Sequence, residues 1–343
     1  MTAAEPILLK GSPGSPYTRK MLAVLRYRGL PYRLLIGGHD QDFGLPRPRV
    51  ALLPTFYLRD DRGEIEAVVD STPLIRRLER DFPNERSVIP DDPVVQFVDA
   101  LIEDYGDEWL TKAMFHYRWY YEADIAHAGS ILPRWSALTA PEEVIEQRRA
   151  QFTRRQIDRL WVVGSNDTTA PIIEASYRRL LGLLENHLQR LPFVLGNRPG
   201  SADFALYGQL TQLAHFDPTP RQLTLESAPR VYAWVAVMED LSGHEHSGDG
   251  WLERRELADA LRPWLTELGR TYVPVMLANA KALNDGEKEV RTTVDGQPWV
   301  QQAFPYQGRC VAELRARYAR LESADRRVVD ELLEGTGCSA LFA

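Results

Sequence analysis

Cysteine is scarce in this chain, positive charge does not exceed negative charge, and the sequence lacks long apolar runs. Two cysteines in 343 residues are too few for a disulfide framework or a cysteine-rich metal site. Lys and Arg number 41 against 48 Asp and Glu, and the net charge of −7 disfavours a nucleic-acid partner. No run approaches the roughly 18 apolar residues of a membrane span, and no secretory signal pattern opens the sequence. We therefore expect a cytoplasmic protein with neither a nucleic-acid partner nor a membrane contact.

The composition is that of a globular protein. Apolar residues make up 44% of the chain and charged residues 26%, which excludes a mostly disordered or collagen-like protein. A length of 343 residues favours about two domains and allows at least one sizeable core.

The N-terminal quarter alternates strand and helix patterns. An apolar strand at 7–10 runs into the loop 11–14, which is rich in glycine and proline. Ser15 and Pro16 then supply an N-cap and a first helical position, and residues 32–36 form a second strand after that helix. The pattern predicts a βαβ unit.

A hairpin and a helix complete this region. Residues 52–58 form a strand with Pro54 at its entrance, and a turn leads into a strand at 64–69. Asp70 and Ser71 follow and cap a helix that ends near Asp81. The predicted order is βαβ, an irregular link, and ββα.

The remainder of the chain is mostly helical by periodicity. A proline-rich linker at 83–92 precedes it. The predicted helices are 94–109, 141 to about 163, 171 to about 190, 200 to about 214, 229–241, 251 to about 282, 306–321 and 323–334. Between the last two and the others, Asp295-Gly296 predicts a two-residue hairpin turn that places Thr292 opposite Trp299.

Four local motifs resemble those of the cytosolic glutathione transferase family, in the same order. They are the segment 11–20 (GSPGSPYTRK), the pair Leu53-Pro54, the pair Asp70-Ser71, and the segment 194–204 (VLGNRPGSADF). The first resembles the turn in which thioredoxin-like and omega-like members carry Cys-Pro-Phe/Tyr, here with Ser-Pro-Tyr. The second matches the family's cis-proline, the third its acidic-Ser pair, and the fourth its buried capping motif. The chain resembles a bacterial member over roughly residues 5–270.

The resemblance implies an α+β fold in which a thioredoxin-like βαβ-ββα domain precedes an all-α domain. The implied boundaries are 1–82 for the glutathione-binding domain, 83–92 for the linker and 93–271 for the helical domain. Residues 272–343 are a C-terminal extension, with a hairpin and helices, that we expect to pack on the helical domain. Gly200 departs from the family, which usually has Ser or Thr there, so the N-cap hydroxyl is missing; Asp203 can still reach the free amides.

The resemblance also implies that Ser15 is catalytic, with Ser12 in reserve. Glutathione attacks as a thiolate, and a hydroxyl at a helix N-terminus can lower the pKa of the thiol. From the residues alone, Ser15 is equally an ordinary helix cap. Because the loop has no cysteine, glutaredoxin-like thiol exchange is not expected.

Glutathione would be bound by Leu53, Pro54, Asp70 and Ser71 if the resemblance holds. A cis-proline presents the backbone of Leu53 as a strand edge, and the pair at the helix N-terminus would receive the γ-glutamyl end. An edge-strand proline and a helix cap are the alternatives. The residue that binds the glycine carboxylate stays open among His39, Gln41, Arg47 and Arg49.

Four aromatic residues are candidates for an electrophile pocket: Tyr17, Trp109, Tyr117 and Tyr120. Their alternative roles are core packing and dimer contact. His244, Glu245, His246 and Asp249 lie among Ser and Gly residues that fix no ligand directions, so no metal is expected.

The predicted function is therefore that of a glutathione transferase-like enzyme. It would activate the glutathione thiolate for attack on a small apolar electrophile, in conjugation or in glutathione-dependent lyase or isomerase chemistry, with a role in detoxification. Glutathione would be the cosubstrate, and the resemblance implies a homodimer. The alternative is a noncatalytic protein of the same fold that binds ligands or other proteins.

Overall fold

The N-terminal region folds as a four-stranded mixed sheet. The structure, a computed structural model, describes residues 5–37, 42–245 and 250–343. Its strands are β1 (Ile7–Gly11), β2 (Tyr32–Ile36), β3 (Thr55–Arg59) and β4 (Ile65–Val68). They lie in the order β2-β1-β3-β4, with β1 parallel to β2 and antiparallel to β3, and β3 antiparallel to β4. This arrangement confirms the predicted thioredoxin-like fold.

Two helices pack on this sheet. They are α1 (Pro16–Tyr27) and α2 (Ser71–Asp81). Proline stands at the first position of α1, where no intrahelical N–H is needed, and Gly29 follows the helix with a φ of +64°. Met21, Val24 and Leu25 of α1 are fully buried. The helix therefore begins and ends where its capping residues predict.

The second region is helical, as predicted. Its helices are α3 (Pro93–Glu108), α4 (Leu110–Tyr120), α5 (Glu122–Ile131), α6 (Glu142–Ile157), α7 (Ala170–His187), α8 (Ser201–Leu210), α9 (Pro218–Ser227) and α10 (Pro229–Met238). Short 3₁₀ turns lie at Arg134–Ser136 and Leu160–Val162, and Thr211–Phe216 forms a π-helical turn directly after α8. None of the predicted helices covers α4, α5 or α9, and no π turn was predicted.

The predicted single helix at 251–282 is wrong, because the structure has two: α11 (Arg254–Arg270) and α12 (Tyr272–Asn284). At the break, the N–H and the hydroxyl of Thr271 both donate to the Glu267 carbonyl. Gly269 permits a close approach here, since a Cβ would lie 2.0 Å from the Thr336 carbonyl oxygen.

The C-terminal extension contains a hairpin and two helices. They are β5 (Glu289–Val294), β6 (Gln297–Gln302), α13 (Pro305–Arg320) and α14 (Ser323–Leu333), followed by a 3₁₀ turn at Cys338–Leu341. Thr292 pairs with Trp299 as predicted, and Asp295 and Gly296 take the positive φ angles of the turn. The side chain of Trp299 is buried, and its ring centre lies 5.2 Å from that of Trp109. Trp109 stands at the junction of α3 and α4.

The capping motif at the start of α8 explains the glycine at position 200. The Asp203 carboxylate accepts hydrogen bonds from the N–H groups of Val194 and Gly200, both at 2.9 Å. Asp99 of α3 supplies a further cap, since its carboxylate accepts from the Ala202 N–H (2.9 Å) and the Ser201 hydroxyl (2.5 Å). A Cβ on Gly200 would lie 2.6 Å from the Asp99 Oδ1 atom. A carboxylate from a neighbouring helix thus takes the place of the missing hydroxyl.

Restoring the family's serine should therefore destabilise the protein. We expect Gly200→Ser to lower the free energy of unfolding by about 1–3 kcal/mol, because the new Cβ overlaps a buried carboxylate. Urea unfolding measures the effect. In the background of Asp99→Ala, which makes room, the same substitution should cost less. A Gly200→Ser variant as stable as the wild type would contradict this account.

Candidate functional site

The hydroxyl of Ser15 joins the start of α1 to the loop before β3. Its Oγ atom accepts a hydrogen bond from the Thr18 N–H (3.2 Å) and donates one to the Leu53 carbonyl (3.3 Å). The Leu53–Pro54 peptide bond is cis. Ser12 contributes its backbone carbonyl, which accepts from the Ser15 N–H at 3.0 Å and closes the turn. Ser15 therefore caps α1 and contacts the cis-proline loop at the same time.

Two buried side chains of the helical region hold the loop that precedes Ser15. Arg118 of α4 donates to the Gly14 carbonyl (3.0 Å), and Gln212 in the π-helical turn donates to the Pro13 carbonyl (3.3 Å). Arg118 also donates to both oxygens of Asp217, each at 3.0 Å, and to Gln212 Oε1 at 2.7 Å. Neither residue was predicted from the sequence, because an arginine within an aromatic run has no distinctive spacing.

Apolar side chains cover the same loop from the segment after α5. A Cβ on Gly14 would lie 2.5 Å from Leu132 Cδ2 and 2.7 Å from Trp135 Cζ3. The ring of Trp135 lies 5.1 Å from that of Phe216, over which the Arg118 guanidinium is placed at 5.0 Å. Glycine at position 14 thus allows an apolar wall to approach the start of α1.

Asp70 and Ser71 lie at the start of α2. Asp70 has a φ of +82°, a backbone conformation that non-glycine residues rarely adopt. Its carboxylate accepts a hydrogen bond of 2.7 Å from the hydroxyl of Tyr306, in the first turn of α13. Ser71 is 6% exposed, and its hydroxyl accepts one of 3.2 Å from Lys20 of α1. The acidic-Ser pair therefore contacts both α1 and the C-terminal extension.

A buried ionic network lies beneath this pair. The Lys20 ammonium, with no exposed side-chain surface, contacts Glu103 at 2.9 Å and Asp107 at 2.6 Å, and Arg76 contacts Glu103 at 2.7 Å. Burial would raise the pKa of Glu103, but the charges of Arg76 and Lys20 outweigh it and hold that pKa well below its usual range. Burial would lower the pKa of Lys20, but Asp107 and Glu103 raise it. Glu103 and Lys20 are therefore charged at neutral pH.

Two family models match this chain. Residues 9–86 match the model described as the N-terminal domain of glutathione S-transferase, and residues 143–236 match its C-terminal domain. Together the matches cover about half of the sequence. The chain belongs to the glutathione S-transferase family.

Solved structures of glutathione S-transferases are similar at low identity. The protein of Methylobacterium radiotolerans, in complex with glutathione sulfonate, is 18% identical over 68% of this chain and 91% of its own, with a TM-score of 0.41. That of Burkholderia graminis, with two glutathione molecules bound per subunit, is 16% identical over 69% of this chain and 85% of its own, with a TM-score of 0.43. A search of curated proteins gives no match. The family assignment therefore rests on the two domain models.

The aromatic residues proposed for an electrophile pocket have other contacts in this glutathione S-transferase. Trp109 and Tyr117 are each 2% exposed and belong to the core, which is the alternative that the sequence left open. The Tyr17 hydroxyl donates to the Asp107 carbonyl at 2.8 Å, and burial raises its pKa well above the usual value. The Tyr120 hydroxyl donates to Asp167 at 2.8 Å. The side chains that cover the loop before Ser15 are instead those of Leu132 and Trp135.

The candidates for the glycine carboxylate are only partly placed. His39 and Gln41 lie outside the described residues. Arg47 lines a cleft of about 220 Å³ with Lys10, Phe43 and Tyr57, and Arg49 is exposed.

The described parts of the chain contain no cluster of three or more side chains that could hold a metal ion. The ring of His244 lies edge-to-face with that of Phe193, with the ring centres 5.2 Å apart, while His246 and Asp249 lie outside the described residues. Among the described helices, none has both the length and the apolar character to cross a membrane.

Proposed function

We propose that this family member is a glutathione transferase-like enzyme that uses Ser15 to stabilise the glutathione thiolate. The observation that carries the proposal is the position of the Ser15 hydroxyl, which caps α1 and lies 3.3 Å from the Leu53 carbonyl. A thiol bound between the cis-proline loop and α1 would meet this hydroxyl and the positive end of the helix dipole. Both favour the thiolate.

The hydroxyl has the freedom that this role requires. Its oxygen is fixed by the Thr18 N–H, while its hydrogen can turn from the Leu53 carbonyl toward a bound sulfur. A hydrogen bond to a charged group contributes roughly 1.5–3 kcal/mol, and a helix N-terminus adds roughly 0.3–1. Together they can lower the thiol pKa by about two units.

The peptide would be held by the backbone and by the start of α2. Leu53 and Pro54 offer a strand edge to the cysteinyl unit. Ser71 offers its hydroxyl and N–H to the γ-glutamyl carboxylate at a helix N-terminus, and Asp70 offers a carboxylate to the ammonium of the same unit. The apolar electrophile would lie near Trp135, which covers the loop before Ser15.

We also propose that residues 1–82 and 93–271 are the two domains, joined by 83–92, with 272–343 as an extension packed on the helical domain. The contact of Trp299 with Trp109 supports this packing. A cytoplasmic homodimer remains part of the proposal. Light scattering at micromolar concentration tests it, and a monomer there would contradict it.

The pH dependence of turnover tests the role of Ser15. Ser15→Ala should raise the pKa of the bound thiol by about one to two units and reduce kcat at neutral pH by roughly ten- to a hundredfold, because the thiolate loses a hydrogen bond. Activity should recover at higher pH. The measurement is kcat against pH with a chlorodinitrobenzene as the electrophile, at saturating glutathione.

Two matched serine variants serve as controls. Ser12→Ala should leave the profile unchanged. Ser71→Ala should mainly raise the KM for glutathione, because Ser71 would contact the peptide equally in the ground and transition states. If Ser15→Ala leaves the profile unchanged, Ser15 takes no part in the chemistry, and Ser12 or the backbone amides of α1 become the candidates.

Titration with glutathione distinguishes the enzyme from a noncatalytic protein of the same fold. The proposal requires saturable binding below millimolar concentration. If no binding is observed at millimolar concentration, the chain is better described as a module that binds other ligands or proteins.

A further inference from the structure

The C-terminal extension contributes a side chain to the start of α2. The Tyr306 hydroxyl donates to Asp70 Oδ2 at 2.7 Å, although 236 residues separate the two in sequence. Tyr306 lies in the first turn of α13, and the residue before that helix is fixed to α12. There the Phe304 N–H donates to Asn279 Oδ1 (2.7 Å), and the Asn279 amide donates back to the Phe304 carbonyl (3.0 Å). Tyr306 therefore reaches Asp70 from a segment that is hydrogen-bonded to α12.

Asp70 itself is held in a strained conformation. Its φ of +82° costs free energy that the surrounding contacts must offset, and such residues concentrate at functional sites. The hydrogen bonds from the Tyr306 hydroxyl and the Thr72 N–H leave other lone pairs of the carboxylate free to accept from a ligand. The contact therefore orients Asp70 and does not use up its capacity.

The surroundings of Asp70 favour a cationic ligand group. Glu103 and Asp107 face it from α3, and the two cations of this network, Lys20 and Arg76, are already paired with these acids. Asp107 is 6% exposed, and its Oδ1 atom has no hydrogen-bond partner in the structure. A buried carboxylate oxygen without a partner can accept a hydrogen bond from a further donor.

We propose that Tyr306 is a positioning residue of the thiol-peptide site, where it orients the Asp70 carboxylate to bind the α-ammonium group of the γ-glutamyl unit. This inference rests on the proposed function, because it assumes that glutathione binds at the start of α2. It makes the extension part of the binding site.

Tyr306→Phe removes only the hydroxyl and tests the proposal by ligand comparison. The ligands are glutathione and a glutathione that lacks only the γ-glutamyl α-amino group, and the measurement is the Kd of each by calorimetry. In the wild type, glutathione should bind more tightly. Tyr306→Phe should weaken glutathione binding by about three- to thirtyfold and leave the Kd of the deaminated ligand within about twofold.

Two further variants make the comparison specific. Asp70→Asn should abolish the preference for glutathione, and Tyr306→Phe added to it should have no further effect. Tyr318→Phe is the matched control on the same helix, since its hydroxyl donates to Asp330 at 2.5 Å and not to the site. It should behave as the wild type.

The pH dependence of binding gives a readout that a purely structural role would not move. Burial raises the pKa of Asp70, whereas the Tyr306 hydroxyl, the Lys20 charge and the Thr72 N–H oppose that rise. Glu103 and Asp107 from α3, and Cys310 from α13, are the other titratable groups near it. Without the hydroxyl, Asp70 should protonate more easily, so the acid-side midpoint of glutathione binding should move up by about one pH unit.

Each outcome decides between the claims. If the wild type binds no glutathione, the proposed function fails and this inference fails with it. If the wild type binds but Asp70→Asn keeps the preference, or Tyr306→Phe matches the wild type, only this inference is overturned. The inference is also overturned if Tyr306→Phe weakens the binding of both ligands equally. Tighter binding of glutathione to Tyr306→Phe would overturn it as well, because the contact would then inhibit binding.

Discussion

Replacing Lys20 by methionine should lower the free energy of unfolding by about 3–5 kcal/mol at pH 8. The ammonium group has no exposed surface and contacts Glu103 and Asp107. The variant therefore leaves two buried carboxylates facing each other without the positive charge of Lys20. Arg76 still pairs with Glu103, whereas Asp107 loses its only salt-bridge partner in the described residues. Urea unfolding at fixed protein concentration measures the loss.

The loss should depend on pH in a defined direction. Burial already raises the pKa of Asp107 against the opposing charge of Lys20, so without Lys20 that pKa rises further and Asp107 can become neutral in mild acid, whereas Arg76 still holds the pKa of Glu103 down. The variant should therefore lose less stability at pH 5 than at pH 8. Adding Asp107→Asn to Lys20→Met should restore part of the stability at pH 8. Equal losses at both pH values would show that packing, and not charge, is responsible.

Lys281 provides the matched control. It pairs with Asp285 on the surface of α12, four residues apart, with 77% of its side chain exposed. Water and ions screen such a pair, so Lys281→Met should leave the unfolding curve unchanged. A comparable loss in both variants would mean that the buried network has no special role.

The sequence predicts those parts of the fold that depend on local patterns. Alternating apolar residues, the Ser15-Pro16 helix start and the Asp295-Gly296 turn are all determined within a few residues, and the structure confirms each of them. The cis bond before Pro54 was expected from the resemblance, and the structure has it.

The parts that the sequence could not predict depend on contacts between distant segments. Tyr306 reads as one more aromatic residue of a helix, and its contact with Asp70 appears only when α13 is packed beside α2 and α3. From the sequence, Gly200 predicts a weakened helix cap. In the structure, the carboxylate of Asp99 from α3 takes the place of the missing cap hydroxyl. Beside the break at Thr271, the approach of Thr336 to Gly269 joins two segments that are far apart in the chain. None of these pairs has a signal within a single helix or strand.

The second large effect should follow from replacing Arg118 by leucine. Arg118 is 3% exposed and Asp217 is fully buried, so the variant leaves an unpaired carboxylate in the core and removes the donor to the Gly14 carbonyl. We expect the free energy of unfolding to fall by about 3–5 kcal/mol at pH 8. Arg149→Leu is the control: its pair with Glu146 is exposed, and its loss should stay within about 0.5 kcal/mol.

The conservative variant separates the two tasks of Arg118. Arg118→Lys keeps a positive charge beside Asp217 but loses the planar fork that donates to Asp217, Gln212 and the Gly14 carbonyl together. It should recover much of the stability. Without that fork, the loop before Ser15 should be held less firmly than in the wild type. The pKa of bound glutathione, taken from the kcat–pH profile, should therefore lie above the wild-type value. If Arg118→Lys restores both stability and that pKa, Arg118 only balances the charge of Asp217, and the loop is held by other contacts.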